Sequence, residues 1–459
     1  MRLTRAGAVS YTAGFNYRVA TLACLVIPAA ISACCLAEDA PKVKRALQEV
    51  GVLLNGRGTI QHKGLARLAH QEVDDNLVQR LLPHLMILAP VRIDLSGASI
   101  TDESVSSISK LNGVEEIAVM GCAVTDKGLV DLAGMSSLAS ILLGRTKVTS
   151  VGILHLKNNT KLKAIDISDT KTDDTAMLAL MTCPNLEVLL ANNTSIKGSG
   201  LQGVLPSENS LKRITLIGCK VNPSGLDFIC RLKHLKMLSI SGKEISDTAC
   251  LHLDQLKQLH YLMLKDTSCA KFTDVNFESL ENLQIVDLQG SSIEDEGVKQ
   301  LCSSPSIQVL NISRTKIKGE CIAFLKKLPN LRSLNMSDTI LLTDHARELA
   351  GISTIEDLGL ENCMIDDLHF TAILQLPKLR SLNVNGTAVS DIGMEGFKNL
   401  KGRSFQSLGF ARTKISGAGA VHLLNLDSLT AVNLEASVLQ SELRDALSRK
   451  FQKIRFLAD

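Results

Sequence analysis

The side chains that could do chemistry in this 459-residue chain are its cysteines, its histidines and several adjacent carboxylates. A zinc site would need cysteine or histidine ligands at short, fixed spacings such as C-x-x-C. The cysteines that follow residue 37 show no such spacing, and their odd number argues against a complete disulfide framework. They are Cys122, Cys183, Cys219, Cys230, Cys250, Cys269, Cys302, Cys321 and Cys363. We therefore expect small buried thiols and no metal.

Catalytic motifs are also missing from the sequence. It contains no H-E-x-x-H, no P-loop and no G-x-S-x-G. Adjacent carboxylates such as Asp173-Asp174 and Asp366-Asp367 open segments with helical spacing, where a short acceptor side chain caps the helix. The histidines occupy unrelated positions, most of them on predicted exposed helix faces: His155, His234, His252, His260, His345, His369 and His422. The sequence predicts a protein that is not an enzyme and needs no cofactor.

The charge balance argues against a nucleic-acid partner. Lysine and arginine number 50 and aspartate and glutamate 47, so the excess of positive charge is only three. Both signs are mixed along the chain, whereas a surface that follows phosphates needs a cationic stripe.

A unit of 24 residues recurs from about Pro90 onward and must position every side chain that follows. It reads L-x-x-L-x-L-x-x-[T/C]-x-[I/V]-[T/S]-D-x-G-L-x-x-L, and one clear copy runs from Leu379 to Phe397. Its first ladder residue recurs about fifteen times over residues 90–452, at Pro90, Val114, Leu138, Leu162, Leu186, Leu211, Leu235, Leu259, Leu283, Ile307, Leu331, Ile355, Leu379, Phe405 and Leu429. Such a period predicts a solenoid of stacked supersecondary units.

Each unit contains two apolar periods. The L-x-L segment has the two-residue period of a strand, so Leu382 and Val384 should face inward and Asn383 outward. The Thr/Ser-Asp pair that follows, as in Thr125-Asp126, supplies acceptor oxygens for the first N–H groups of a helix. Apolar residues then recur every three or four positions. One strand and one short helix per unit therefore predict a parallel sheet with helices on its other side.

These motifs resemble the leucine-rich repeat family over about four fifths of the chain. The usual ninth-position asparagine is here threonine, as at Thr146, or cysteine, as at Cys122, which is similar to the cysteine-containing subclass found also in F-box proteins. The resemblance implies an α/β leucine-rich repeat solenoid, or horseshoe, with a parallel sheet on the concave face and short helices on the convex face. It also implies that the concave face binds ligands.

The ends of such a stack need caps, because each unit contacts only its neighbours. We expect residues 38–89 to form the N-terminal cap, with an irregular strand or a hairpin at 51–60 and a helix at 76–88. Residues 453–459 should form a C-terminal cap strand.

The N-terminus has the layout of an export signal or membrane anchor, over residues 1–37. Arg2, Arg5 and Arg18 precede an uncharged stretch, and Glu38 would begin the mature chain after cleavage. Ile31-Ser32-Ala33-Cys34 also resembles a bacterial lipobox, which makes Cys34 a lipidation candidate. We therefore expect a protein of the periplasm, the cell envelope or the extracellular space, with possible membrane attachment through its N-terminus. The free thiols count mildly against export.

The outward strand positions suggest where a partner binds. Most are polar or small, and the later units carry a column of asparagines, Asn311, Asn335, Asn383 and Asn433, which a soluble sheet face explains. An apolar set is predicted as the partner site: Val188, Leu190, Ile217, Met237, Tyr261, Met263, Ile285 and Val309. Contiguous apolar side chains on a concave face often mark such a site.

The first functional hypothesis is a non-enzymatic protein–protein interaction module of the cell envelope or secreted space that binds a protein ligand on its concave face. The alternative is the substrate-recognition subunit of an F-box type ubiquitin ligase. That alternative requires an F-box before the repeats, for which residues 38–90 are short.

Overall fold

The computed structural model describes residues 52–54, 59–62, 73–201, 210–400, 403–435, 440–451 and 453–457. The predicted export segment 1–37, including Cys34, lies outside these residues. The described chain forms two compact blocks. The N-terminal block ends at Leu283, and the C-terminal block begins at Gln284.

The N-terminal block is a stack of short strands that alternate with helices or turns. Strands β1 and β2 form an antiparallel hairpin, and β2 to β9 each pair in parallel with the next strand, so that the series ends at β10. The described strands are β1 (Val52–Leu54), β2 (Thr59–His62), β3 (Arg92–Asp94), β4 (Glu116–Ala118), β5 (Ser140–Leu142), β6 (Ala164–Asp166), β7 (Val188–Leu190), β8 (Arg213–Leu216), β9 (Met237–Ser241) and β10 (Tyr261–Lys265). The helices are Asp75–Leu88, Asp102–Ile108, Asp126–Ala133, Ser150–Ile153, Asp174–Met181 and Pro223–Cys230, with 3₁₀ turns at Leu154–Leu156, Ser199–Leu201, Leu253–Gln255 and Phe277–Ser279.

The C-terminal block repeats the same plan, and its strands β11 to β17 each pair in parallel with the next, ending at β18. They are β11 (Ile285–Asp287), β12 (Val309–Asn311), β13 (Ser333–Asn335), β14 (Asp357–Gly359), β15 (Ser381–Asn383), β16 (Ser407–Gly409), β17 (Ala431–Glu435) and β18 (Lys453–Leu457). The helices are Asp295–Leu301, Ile322–Leu325, Thr343–Glu348, Asp367–Ile373, Asp391–Met394, Gly417–Ala420 and Ser441–Lys450, with 3₁₀ turns at Leu349–Gly351, Glu395–Asn399 and Val421–Asn425.

The predicted alternation of inward and outward residues is confirmed. Leu262 in β10 is completely buried, whereas the neighbouring Met263 is half-buried on the opposite face. Every strand from β3 to β17 begins two residues after its predicted first ladder residue, as Arg92 follows Pro90 and Ala431 follows Leu429. The leucine ladder therefore forms the core of each block, and the predicted parallel α/β repeat architecture is correct.

A sharp turn follows each strand at one repeat position. Its residue has a positive φ whether or not it is glycine: Gly121 at 74°, Arg145 at 60°, Asp169 at 58° and Asn193 at 54° are successive copies. Left-handed backbone is costly for residues with a Cβ, and asparagine and aspartate tolerate it better than most. This geometry explains why glycine recurs at this position in the sequence.

The threonine or cysteine at the ninth position donates a hydrogen bond to the backbone of the turn. Thr194 Oγ1 donates to Ala191 O within its own repeat at 2.8 Å. Cys219 Sγ, from the next repeat, donates to the same carbonyl at 3.0 Å. Thr339 and Cys363 share Met336 O in the same way. The cysteine therefore links consecutive repeats, whereas the threonine closes its own turn.

The two residues of the Thr/Ser-Asp pair form hydrogen bonds in two different repeats. Thr125 Oγ1 accepts from Lys127 N and so caps its own helix, as predicted. Asp126 reaches forward to the next repeat, where Thr149 donates to it from its backbone N–H at 2.7 Å and from its hydroxyl at 2.7 Å. In the C-terminal block, Asp391 accepts the corresponding two bonds from Ser416. We call these forward contacts the aspartate ladder. The sequence analysis assigned only the capping role to the pair.

Helix Asp75–Leu88 belongs to the same stack. Asp74 caps it by accepting from Leu77 N, and Asp75 begins the aspartate ladder by accepting from Thr101 N at 2.9 Å and from Ser104 N at 3.1 Å. Gln79 Nε2 also donates to the Ser107 hydroxyl. This helix covers the first repeat, one residue longer at its start than the predicted 76–88.

Candidate functional site

The surface that could receive a ligand is the side of each sheet that faces away from the core, which we call the outer sheet face. It carries the first, third and fifth residues of each strand segment. The parallel register places equivalent residues of neighbouring repeats side by side at a spacing of about 4.8 Å. Side chains from different repeats therefore form columns.

Four of the predicted partner-binding residues lie in or beside the first column of the N-terminal block. Met237 pairs directly with Tyr261, but Arg213 pairs with both Val188 and Met237 and so lies between them. The apolar set is thus interrupted by a guanidinium, which the sequence analysis overlooked. Leu190 lies two residues beyond Val188 on the same strand and the same face.

Tyr261 is much less accessible than its outward position suggests. Its exposed fraction is 8%, while Met237 and Met263 remain half-buried. Position within the strand alone does not report this burial. Tyr261 therefore offers a partner little surface, and the two methionines offer more.

In the third-position column, two small polar residues lie between two large apolar residues. From β7 to β10 it reads Leu190, Thr215, Ser239 and Met263. Thr215 is 9% exposed and Ser239 is 1% exposed, although both are at outward positions of their strands. Thr215 Oγ1 has no hydrogen-bond partner. Ile217, half-buried, follows β8 at the fifth position. We call these six apolar residues the N-block patch: Val188, Leu190, Ile217, Met237, Tyr261 and Met263.

The C-terminal block holds the other two predicted residues. Ile285 pairs with Val309, and both are half-buried on the outer sheet face. The same column continues with Ser333 and Asp357. The two apolar residues therefore form a small pair at the start of a polar column.

Asparagines in the C-terminal block accept hydrogen bonds from the backbone where the strands end. Asn311 is 4% exposed, its Oδ1 accepts from Ser313 N at 3.1 Å, and its Nδ2 donates to Asp287 Oδ1 at 3.0 Å. Asn335 and Asn383 likewise accept from the backbone N–H two residues later. A side chain that closes a turn in this way is an Asx turn. Local structure therefore explains these three asparagines without a ligand, whereas the buried Oδ1 of Asn433, the fourth member of the column, has no hydrogen-bond partner.

Charges on this face are paired or shifted by burial. Arg412 Nη2 contacts Glu361 Oε1 at 2.6 Å although the two residues are 51 positions apart in sequence. Burial raises the pKa of the Asp357 carboxyl above its usual value, and a hydrogen bond with Ser381 opposes the shift. Burial likewise raises the pKa of Glu116, against the attraction of Arg92.

The cysteines and histidines lie mostly where the sequence predicts them. Eight of the nine described thiols are buried, and Cys302 is half-buried. His369 differs from the expectation, because it is only 4% exposed and forms a capping box with Asp366. Within the described ranges, no three histidine, cysteine, aspartate or glutamate side chains are grouped to hold a metal. In the same part of the chain, no helix is both long and apolar enough to cross a membrane.

Stacked repeats of one short parallel strand and one short helix, built on a leucine ladder, define the class of leucine-rich repeat solenoids. The chain has the fold of this class. The profile of the family described as "Leucine Rich repeat" matches residues 279–302 and 375–398. No curated protein sequence matches the chain.

Solved structures share the fold at low sequence identity. A leucine-rich repeat protein of Leptospira interrogans is 17% identical, with a TM-score of 0.58 over 90% of this chain and 97% of the other. The mouse RP105/MD-1 complex contains a chain 16% identical, with a TM-score of 0.51 over 79% of this chain and 70% of the other. An internalin of Listeria monocytogenes is 17% identical, with a TM-score of 0.47 over 86% of this chain and 94% of the other.

Proposed function

We propose that this protein is a non-enzymatic binding module that captures a protein partner through its outer sheet face. The N-block patch is the observation that carries the proposal. Met237, Met263 and Leu190 point away from the core yet are large and apolar. Exposed apolar groups that cluster on one face are a common feature of protein interaction sites. Methionine suits such a surface because its side chain adapts to different shapes.

The chemistry of the face favours a protein over other ligands. The chain's small net charge provides no electrostatic basis for nucleic-acid binding. Arg213 lies between Val188 and Met237 of the N-block patch, so a partner needs apolar side chains together with acceptor groups such as backbone carbonyls. A polypeptide supplies both. The RP105/MD-1 complex, which has a similar fold, was solved as an assembly of two proteins.

The proposed location is the cell envelope or the space outside the cell. Support comes from the N-terminal sequence, where arginines precede a long uncharged stretch that ends before Glu38. Intact mass spectrometry of the protein from its native host tests this proposal. A chain that begins at Glu38, or at a lipid-bearing Cys34, would agree with it, and a cytosolic chain that retains Met1 would overturn it.

The F-box alternative receives less support from the N-terminal cap. An F-box adaptor needs a separate helical domain before its repeats. Here Asp75 and Gln79 of the helix Asp75–Leu88 are bonded to the first repeat, so this helix is part of the solenoid. The envelope binding module is therefore the function that we propose.

A matched set of charge substitutions tests the binding face. Met263→Asp and Met237→Asp place a carboxylate in the N-block patch, Ile285→Asp tests the C-terminal block, and Val151→Asp places the same charge at a 62% exposed site on a helix. Each immobilised variant is incubated with the solubilised envelope fraction of the native host, and retained proteins are compared with those retained by the wild type.

We expect the wild type and Val151→Asp to retain the same protein, and Met263→Asp and Met237→Asp to lose it. Circular dichroism must show that all variants remain folded. Equal retention by the two methionine variants would remove the N-block patch from consideration. Loss with Ile285→Asp alone would assign binding to the C-terminal block.

A further inference from the structure

Two thiols meet in the core of the N-terminal block. Cys250 Sγ and Cys269 Sγ are 2.9 Å apart, and both residues are completely buried. They belong to consecutive repeats, 19 positions apart in sequence. The sequence analysis treated every cysteine as a separate core residue, because no short spacing connects these two.

Both cysteines replace aliphatic ladder residues. Cys269 occupies the eleventh position of its repeat, where the preceding repeats hold Ile245 and Val221. Cys250 occupies the position three residues after the ladder aspartate, where earlier repeats hold Leu129 and Ile153. Along the chain, each of these two repeat positions holds cysteine once. The two cysteines at these positions lie in direct contact.

We propose that Cys250 and Cys269 form a disulfide that cross-links two consecutive repeats when the chain folds in an oxidising compartment. The bonded S–S distance is about 2.05 Å, so the two sulfurs need to approach by roughly 0.9 Å. The competing hydrogen bond is weak, because Cys269 Sγ lies 3.5 Å from Ile245 O. The proposal is independent of what the outer sheet face binds.

The oxidant is an external disulfide, either of a thiol-oxidising enzyme or of a small molecule such as oxidised glutathione. The thiolate of one cysteine attacks the external disulfide, forms a mixed disulfide and releases one thiol. The second thiolate then attacks the protein sulfur of the mixed disulfide and releases the other thiol. The protein loses two hydrogens and two electrons in total, and the external disulfide gains them as two thiols.

The burial of the pair determines when the reaction occurs. A hydrogen bond with Cys269, together with burial, raises the pKa of the Cys250 thiol well above its usual value. The thiolate is the reactive form, so the folded, reduced pair reacts slowly. We therefore expect the oxidation to occur during folding, before the two repeats bury the sulfurs. Once formed, the disulfide is shielded from reductants by the same burial.

Refolding in a defined redox buffer tests the proposal. The full chain is unfolded and reduced, refolded with a mixture of reduced and oxidised glutathione, denatured again, alkylated and analysed by peptide mass spectrometry. We expect one cross-linked pair of peptides that contains Cys250 and Cys269 and is two hydrogens lighter than the sum of the reduced peptides. Cys302, the half-buried thiol, is the internal control and should be alkylated.

Two variants make the outcome specific. Cys269→Val restores the aliphatic type of the neighbouring repeats and should fold without the cross-link, leaving Cys250 alkylated. Cys302→Ser should retain the cross-link. The proposal is overturned if both Cys250 and Cys269 are alkylated after refolding with oxidised glutathione, or if either is joined to a different cysteine.

Discussion

The Asp102 carboxylate occupies the space that a side chain on Gly128 would need. A Cβ on Gly128 would lie 2.8 Å from Asp102 Oδ1, and that oxygen accepts from Gly128 N at 3.2 Å. The aspartate of one repeat thus explains why glycine occupies this position in the next repeat. In the first repeat Ser104 stands at the glycine position and donates its hydroxyl to Asp75 Oδ1 at 2.5 Å.

This relationship predicts an unusual effect of alanine in a helix. Gly→Ala in a helix ordinarily stabilises by about 1 kcal/mol. Gly128→Ala should instead destabilise the protein by about 1–3 kcal/mol, because the new methyl group displaces the carboxylate. Gly128→Ser should be milder, since its hydroxyl can donate as Ser104 does. Urea unfolding followed by circular dichroism measures both variants.

Gly134→Ala provides the control. Gly134 ends the same helix, and the nearest atom to its added Cβ would be at 3.4 Å. We expect this variant to be as stable as the wild type or more stable. If Gly128→Ala is as stable as Gly134→Ala, the contact with Asp102 does not constrain the repeat.

A second prediction concerns the strand register. Leu262→Asp places a charge in a completely buried position and should cost at least about 4 kcal/mol, which is enough to unfold the neighbouring repeats. Met263→Asp, one residue later, points away from the core and should preserve the circular dichroism spectrum and the thermal transition. Equal effects of the two substitutions would contradict the alternation of faces in β10.

A third prediction concerns acid. The hydrogen bond from the Ser150 hydroxyl, against the effect of burial, holds the pKa of Asp173 below its usual value. A lowered folded-state pKa stabilises the fold above the unfolded-state pKa, near 3.9, and this stabilisation is lost as the pH falls through the folded-state value. Asp173→Asn should therefore be less stable than the wild type at pH 7, and the difference should shrink below about pH 4.

Urea midpoints measured across this pH range test the Asp173 prediction. Ser150→Ala is the matched variant, because it removes the donor and leaves the carboxylate. Ser150→Ala should also be less stable than the wild type at pH 7, and this difference in the free energy of unfolding should also shrink below about pH 4. A difference between Asp173→Asn and wild type that stays constant from pH 7 to pH 2 would show that charge at Asp173 is irrelevant.

A fourth prediction uses the left-handed turn residues. Arg314 is exposed and has a φ of 57° at the position where other repeats place glycine. Arg314→Gly relieves about 1–2 kcal/mol of backbone strain and costs somewhat less in unfolded-state entropy. We expect a gain of up to about 1 kcal/mol in the free energy of unfolding. Lys316→Gly, in the same turn, should lose stability; if both variants lose equally, the turn is not strained.

The sequence predicts the strands well because their information is local and repeated. The two-residue alternation places Leu382 in the core and Asn383 outside, and each further copy adds evidence for the same register. The ninth-position residues Thr194 and Cys219 were also predictable as backbone donors. A short polar side chain in a tight turn has few other partners.

The candidate site was less predictable because it depends on neighbours in three dimensions. Tyr261 is shielded although its strand position faces outward, and Arg213 interrupts a set chosen by hydrophobicity alone. Reading each outward column in full, with every residue included, would have found Arg213. The contact between Cys250 and Cys269 joins two different repeat positions, so aligning the repeats by column does not reveal it.

The aspartate ladder also gives each stack a direction. Asp75, Asp102 and Asp126 each bond to the helix start of the repeat that follows, so these helix starts depend on the repeat before them. Chain synthesis proceeds in the same order. A newly made repeat therefore meets a carboxylate already in place to receive its N–H groups, whereas a chain shortened from its N-terminal side exposes a helix start that has lost its acceptor. Within each block, the repeats can therefore fold in the order of synthesis, and unfolding should begin at the N-terminal end of the stack.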